Sequence, residues 1–242
     1  MIKTKLIIWD YDGVLSDSEK LWIKIWQDLI NEKFALGWDF ETADKILGGL
    51  AVKTKIANLK EIGIELDNDF WEEVKRREKI EIEHNLTATP GVEEILKETQ
   101  IPYCLATGGL LSKTEAKLKA MDFKKYFPDS HIFTAEQVEC GKPEPDLFLF
   151  AAGQMNAAPA ECLVIEDSLP GLKAAIAAGM TPIAFIGSEM NNTGEYRSKV
   201  EKLGVKLIFS TMKQLREYLS NIDKETKLWK VTHKQVFIIS TN

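Results

Sequence analysis

The 242-residue chain is predicted to be an α/β protein, a Rossmann-like parallel sheet core with an inserted α-helical cap domain. Three observations carry this expectation. From Thr87 to Leu219 short apolar runs alternate with helical patterns, and strands alternating with helices make a parallel sheet covered on both faces. An earlier apolar run, Leu6-Ile7-Ile8-Trp9, reads as a strand buried on both faces. Between them, from Ser18 to about Leu86, the spacing is helical and no buried strand stands out. The expected organisation is a core of residues 1–16 and 87–222 and a helical cap of 17–86. Residues 223–242 form a C-terminal extension to which no role is assigned, with Val236 to Ile239 an added strand or part of a tail.

Within the cap, Leu21, Trp22, Ile25, Trp26 and Leu29 recur at helical spacing and predict a helix over Ser18 to Ile30, with Gly37 closing the unit. Phe40 to Leu47 predicts a second helix broken by Gly48-Gly49, and Val52 to Leu59 a third. Asp69 to His84 is charged, with few apolar anchors, and reads as a surface helix. In the core, Pro90-Gly91 turns into a helix at Val92 to Thr99, and Ile101 to Ala106 is a strand ending at Thr107-Gly108-Gly109. Ser112 to Met121 is a helix, His131 to Phe133 a short strand and Pro145 to Met155 a helix. Cys162 to Ile165 is a strand ending at Glu166-Asp167, and Pro170 to Ala178 a helix stopped by Gly179. Thr181 to Ile186 and Lys206 to Phe209 are strands, and Met212 to Leu219 a last helix.

Composition narrows the function classes. Lysine plus arginine (31) against aspartate plus glutamate (37) gives a net charge of −6, so no basic surface argues for nucleic acid. No apolar run reaches membrane-spanning length, and Met1 to Lys5 leads straight into the first strand rather than into a leader. Cys104, Cys140 and Cys162 are odd in number and show no metal spacing, which suits reduced thiols and a cytoplasmic protein. A monomer or weak dimer acting on a small molecule is expected.

Four polar sites fall at the carboxyl ends of predicted strands, the edge where open α/β sheets bind ligands. Asp10 and Asp12 follow the first strand, and Thr107 with Gly108 follows the next. Lys142 stands in Cys140-Gly-Lys-Pro-Glu-Pro-Asp just ahead of a helix, and Glu166 with Asp167 closes the Cys162 strand. Each alone is an ordinary turn or surface feature; together, in this order, they suit a phosphoryl group. Carboxylates that close repel, and Mg²⁺ relieves the repulsion while neutralising phosphate oxygens. The Thr107 hydroxyl and Gly108 amide can donate to other phosphate oxygens, and Lys142 adds a point charge.

Asp10-Tyr-Asp-Gly-Val-Leu-Ser-Asp-Ser, the run Gly141-Lys-Pro-Glu-Pro-Asp-Leu-Phe, Val164-Ile-Glu-Asp-Ser-Leu-Pro-Gly and Ala177-Ala-Gly-Met together resemble the haloacid dehalogenase-like hydrolases. The branch resembled carries a helical cap after the first strand and includes β-phosphoglucomutase and phosphoglycolate phosphatase. The resemblance covers about residues 4 to 220. It implies that Asp10 is a nucleophile forming an aspartyl-phosphate and Asp12 the general acid/base. It also implies Mg²⁺ held by Asp10, the Asp12 backbone carbonyl and Asp167 with Glu166 close by, and phosphate held by Thr107, Gly108 and Lys142. The family's dehalogenases and phosphonatases lack an aspartate at the place of Asp12, so carbon–halogen and carbon–phosphorus cleavage are disfavoured.

Two departures bear on the reaction. Trp22 and Val52 stand near where β-phosphoglucomutases carry a histidine and an arginine, and Thr107-Gly108-Gly109 replaces the Ser/Thr-Asn of many relatives. The expected function is therefore a Mg²⁺-dependent phosphatase acting on a small phosphomonoester, a sugar phosphate, sugar-acid phosphate or phosphoglycolate-like compound. Tyr126-Phe-Pro-Asp and the Lys142 run resemble phosphatases of 6-phosphogluconate. The alternatives are a phosphosugar mutase and a catalytically silent phospho-ligand-binding protein. Trp22, Gly48, Gly49 and Lys53 are the cap residues expected to meet the substrate, with Lys55 a further cation on the same segment.

Overall fold

The computed structural model describes residues 4–48, 50, 52–188 and 190–224. Six parallel strands form one sheet in the order β3-β2-β1-β4-β5-β6. They are β1 (Leu6–Trp9), β2 (Tyr103–Thr107), β3 (Ile132–Thr134), β4 (Cys162–Glu166), β5 (Thr181–Phe185) and β6 (Leu207–Phe209). After β1 the chain builds outward through β2 and β3, then returns to the other side of β1 with β4. The β1/β4 boundary is thus the point where the winding reverses, and a crevice opens there at the carboxyl ends. Register fixes what meets in it. Trp9 lies beside Ile165, and the Asp10 amide donates to the Ile165 carbonyl at 2.9 Å, so the residues following both strands emerge side by side.

Both sheet faces are covered, as continuous apolar strands require. One face packs Ile7, Trp9, Leu105, Ile165 and Ile183 against α5 (Val92–Glu98), α6 (Leu111–Ala120) and a last helix over 212–224. The other packs Leu6, Ile8, Cys104 and Val164 against α7 (Asp146–Gln154) and α8 (Leu169–Ala177). Cys104 and Cys162 are buried thiols and Cys140 is exposed.

Between β1 and β2 lie α1 (Glu19–Phe34), α2 (Phe40–Leu47), α3 (Val52–Glu61) and α4 (Asn68–His84). Their inward residues, among them Trp22, Trp26, Leu47, Leu59, Phe70 and Val74, form a separate apolar cluster. Trp26 meets Phe70 and Trp71 edge-on at 5.5 and 5.4 Å, an arrangement that suits the aromatic quadrupole. Met121 and Met190 from the sheet side also pack on it. The chain enters and leaves this block at adjacent points: the Ser16 hydroxyl donates to the Thr87 carbonyl at 2.8 Å, and the Thr89 amide to the Leu15 carbonyl at 2.9 Å.

Element boundaries move modestly from the sequence reading. The first helix continues four residues beyond Ile30 and closes at Ala35, whose φ is 52°. One helix was not expected at all, α9 (Gly194–Lys202). Only Val200 of it is buried, so it lacks the apolar stripe by which helices are read; its signal is the Thr193 N-cap, whose side chain accepts from the Tyr196 amide at 3.1 Å. Val236 to Ile239 lies outside the described residues.

Candidate active site

Asp10, Asp12, Thr107, Gly108, Lys142, Glu166, Asp167 and Gly48 line one cavity of about 620 Å³, within the usual size for a small-metabolite pocket. Gly13 shapes its floor. Its φ is +78°, and a Cβ there would stand 1.8 Å from Asp167 Oδ2. Only glycine lets the chain turn left-handed while passing that close to the carboxylate. Gly171, helical in the first turn of α8, shares only the close approach: a Cβ there would lie 1.7 Å from Glu166 Oε1.

Lys142 reaches from the loop before α7 into the crevice. Its ammonium donates to Asp10 Oδ1 and Glu166 Oε1, each at 2.6 Å, and to the Ala106 carbonyl at 3.3 Å. Burial works against its charge, but Asp10 and Glu166 prevail and raise its pKa. Glu166 is fully buried, and its other oxygen accepts from the Ser168 amide and hydroxyl at 2.8 and 2.9 Å. Ser168 in turn caps α8 by accepting from the Gly171 amide at 3.1 Å.

Asp10, Glu166 and Asp167 each offer an oxygen within 4.8 Å of the others. Burial, against the pull of Lys142 and with the Glu166 charge adding, pushes the Asp10 carboxyl up to about 7. Burial and the charges of Glu166 and Asp10 raise Asp167 well above the usual carboxylate range. Two buried carboxylates and a half-buried one this close are short of positive charge, and an all-oxygen set fits a hard divalent cation. Asp167 is also held from outside: the Asn191 amide donates to Oδ2 at 3.0 Å and to the backbone carbonyl at 3.3 Å, and the Tyr196 hydroxyl donates to that carbonyl as well.

Asp12 lies in a different setting. Its Oδ1 accepts from Ser18 Oγ at 2.7 Å, Lys117 Nζ at 2.6 Å and Trp22 Nε1 at 3.3 Å, and its Oδ2 from Lys117 Nζ at 2.8 Å. Burial would raise its pKa, but the Lys117 charge and hydrogen bonds, with Ser18, outweigh it and hold the carboxyl at about 2. Asp12 is therefore ionised here. Thr107 is buried, its hydroxyl accepting from the Gly109 amide at 3.2 Å.

The cap residues divide. Trp22 is buried and is joined to Asp12 rather than lining the cavity. Lys53 is exposed and away from the cavity wall. Gly48 lines it, and Gly49 falls outside the described residues. Lys55 is buried, its ammonium 5.7 Å from the Trp26 ring centre, and burial lowers its pKa. Sequence reasoning missed Ser18, Lys117, Asn191 and Tyr196. Lys117 carried a signal, since it falls three residues after Thr114 on the buried stripe of α6. Asn191 carried none.

Residues 4–179 match the sequence model of a family described as hydrolase, haloacid dehalogenase-like hydrolase. The chain is 30% identical over 194 residues to the phosphorylated carbohydrates phosphatase of Thermotoga maritima, covering 77% of this chain and 87% of that protein. It is 28% identical to the 6-phosphogluconate phosphatase of Escherichia coli, covering 79% and 86%. A haloacid dehalogenase family hydrolase of Deinococcus radiodurans, solved with bound phosphate and sodium, superposes with a TM-score of 0.76 at 25% identity over 92% of this chain and 97% of that one.

Proposed function

The chain belongs to the haloacid dehalogenase-like hydrolases, and from that premise we propose that it is a Mg²⁺-dependent phosphatase of a small phosphomonoester, a phosphorylated sugar or sugar acid. The observation that carries the reading is the convergence of Asp10, Lys142, Glu166 and Asp167 on one crevice. The two phosphatase relatives, named for phosphorylated carbohydrates and 6-phosphogluconate, support the substrate class.

Asp10, Glu166, Asp167 and the Asp12 backbone carbonyl are the groups that would hold Mg²⁺, which when bound neutralises carboxylate and phosphate oxygens. Thr107, Gly108 and Lys142 orient the phosphoryl group against Asp10. Asp10 Oδ forms a bond to phosphorus as the bond to the leaving oxygen breaks, and a proton passes from Asp12 to that oxygen. Water then attacks the aspartyl-phosphate, releasing phosphate and restoring Asp10, while Asp12 accepts the water's proton. The ionised state of Asp12 suits this second half; for the first, Asp12 takes up a proton as the anionic phosphoryl group settles beside it and disfavours a second negative charge.

The helical block acts as a cap. Gly48 and Leu50 lie on the cavity wall, and Ser18 and Trp22 touch Asp12. Among the described residues on that wall the cations are Lys142 and Lys199, both outside the block. A mutase needs a second grip for a bisphosphate, and the cap side offers no cation for it there. The test is Mg²⁺-dependent phosphate release across a panel of sugar and sugar-acid phosphates. Turnover of one or more panel members, abolished by chelation, is expected; none with purified, folded protein would overturn the assignment.

A further inference from the structure

We propose that Lys117 is the positioning residue for Asp12, presenting its carboxylate to the cavity in a single orientation. The inference rests on the acid/base reading of Asp12 given above.

The geometry is that of a backstop. The Lys117 ammonium contacts both carboxylate oxygens, at 2.6 and 2.8 Å. The Lys117 side chain is 5% exposed and that of Asp12 is 32% exposed, so the cation is sealed behind a carboxylate that stays open to the cavity. The ammonium is walled by two rings, 4.6 Å from the centre of Tyr11 and 5.1 Å from that of Trp22. Trp22 is fixed in turn, its Nε1 donating to Asp12 Oδ1 and to Ser18 Oγ at 3.1 Å, with Lys113 4.6 Å from its ring centre. Lys113 pairs with Glu78 of α4 at 2.7 Å. Donors and rings therefore flank the Asp12 carboxylate on its side away from the cavity.

Stability alone gives no reason to build this ion pair. Burying an ion pair seldom gains over well-packed apolar side chains of the same volume, and α6 already presents Leu118 to the core. A long aliphatic residue at 117 would fill the same space between the rings while leaving the Asp12 carboxylate without its cation. What it would not supply is a two-point grip on a carboxylate that must meet first a leaving oxygen and then a water at defined places. Misplacement of a reacting group by about 1 Å can cost 10²-fold in rate.

The experiment uses two esters that differ in the proton their leaving group needs, 4-nitrophenyl phosphate and phenyl phosphate. Nitrophenolate leaves with little protonation; phenolate needs it more. Lys117→Met is expected to keep KM for both and to lower kcat for phenyl phosphate by about 10²-fold, with a clearly smaller fall for the nitrophenyl ester. Lys117→Arg, able to grip both oxygens, should recover part of the rate. On an Asp12→Asn background, Lys117→Met should add no further loss. Equal losses on the two esters, or a full additional loss on the Asp12→Asn background, would overturn the assignment, since a structural defect falls on both substrates alike. Should Lys117→Met fail to fold, Lys117→Gln is read by the same two comparisons. Wild-type rates in Asp12→Asn would remove the acid/base reading itself and this proposal with it. A slow Asp12→Asn beside an evenly impaired Lys117→Met would remove only the role of Lys117.

Discussion

The side-chain amide of Asn191 donates to the Asp167 carboxylate at 3.0 Å, tying the loop after β5 to the acid that closes β4. A carboxylate that holds a cation depends on what orients it from behind. Asn191→Ala should weaken Mg²⁺ binding by about 10–100-fold while leaving turnover at saturating Mg²⁺ close to normal. Calorimetric titration with Mg²⁺ measures the first and a Mg²⁺ activation curve the second. Unchanged affinity would show that Asp167 needs no such support.

Asp10→Asn should abolish phosphate release while the protein still folds. The amide is a poor nucleophile and a weaker metal ligand, yet it keeps the volume of the carboxyl and can accept from Lys142. Circular dichroism and a phosphate assay on the same preparation separate the two outcomes. More than a trace of wild-type activity in the folded variant would assign the nucleophile elsewhere.

Stability should depend on pH in a way that Mg²⁺ reverses. Asp10 is pushed up to about 7 and Asp167 well above its ordinary range, whereas both ionise near 3.9 in an unfolded chain. Between those values the folded, metal-free state binds more protons than the unfolded one, so this contribution to stability falls as pH rises. It is fully present below about 3.9 and lost as pH passes through the folded values. Mg²⁺ needs the ionised carboxylates. The rise in Tm on replacing chelator with Mg²⁺ should therefore be larger at about pH 8 than at about pH 5.5. An equal or larger rise at the lower pH would contradict the coupling.

Water rather than a sugar hydroxyl should take the phosphoryl group. Incubation with Mg²⁺ and glucose 1-phosphate, with and without a bisphosphate primer, is followed for glucose 6-phosphate and free phosphate. No primer-dependent isomerisation is expected. Efficient isomerisation without phosphate release would make the protein a mutase, with the second phosphate held by groups other than Lys142 and Lys199.

The sheet and its acids were legible because their signals are local. Leu6 to Trp9 and Cys162 to Ile165 are short apolar runs, and the residues after them are acids; parallel pairing brings these ends side by side. The surroundings of Asp12 were not legible in that way. Lys117 lies 105 positions from Asp12, and only folding discloses which helix face turns toward which loop. Asn191 and Tyr196 belong to a polar stretch whose helix buries a single residue, so periodicity has little to register. Trp22 shows the limit from the other side. Its helical spacing correctly marked it as buried, but spacing does not say that its ring nitrogen would be spent on Asp12.

The contacts Ser16–Thr87 and Leu15–Thr89 make the helical block a detour that starts and finishes at one spot. A turn of about two to five residues, the length of an ordinary hairpin loop, would bridge Leu15 and Thr89 if everything between were cut out. The strands on either side would keep their neighbours, because among the described residues of 17–88 none belongs to a strand of the sheet. What an exchange of the block would have to respect is its contact with the sheet side, the Lys113–Glu78 pair and the Trp22–Asp12 hydrogen bond among them. Grafting the corresponding segment of a relative onto these two points would transplant the part of the pocket that contributes Gly48 and Leu50 while leaving Asp10, Lys142, Glu166 and Asp167 where the strands hold them.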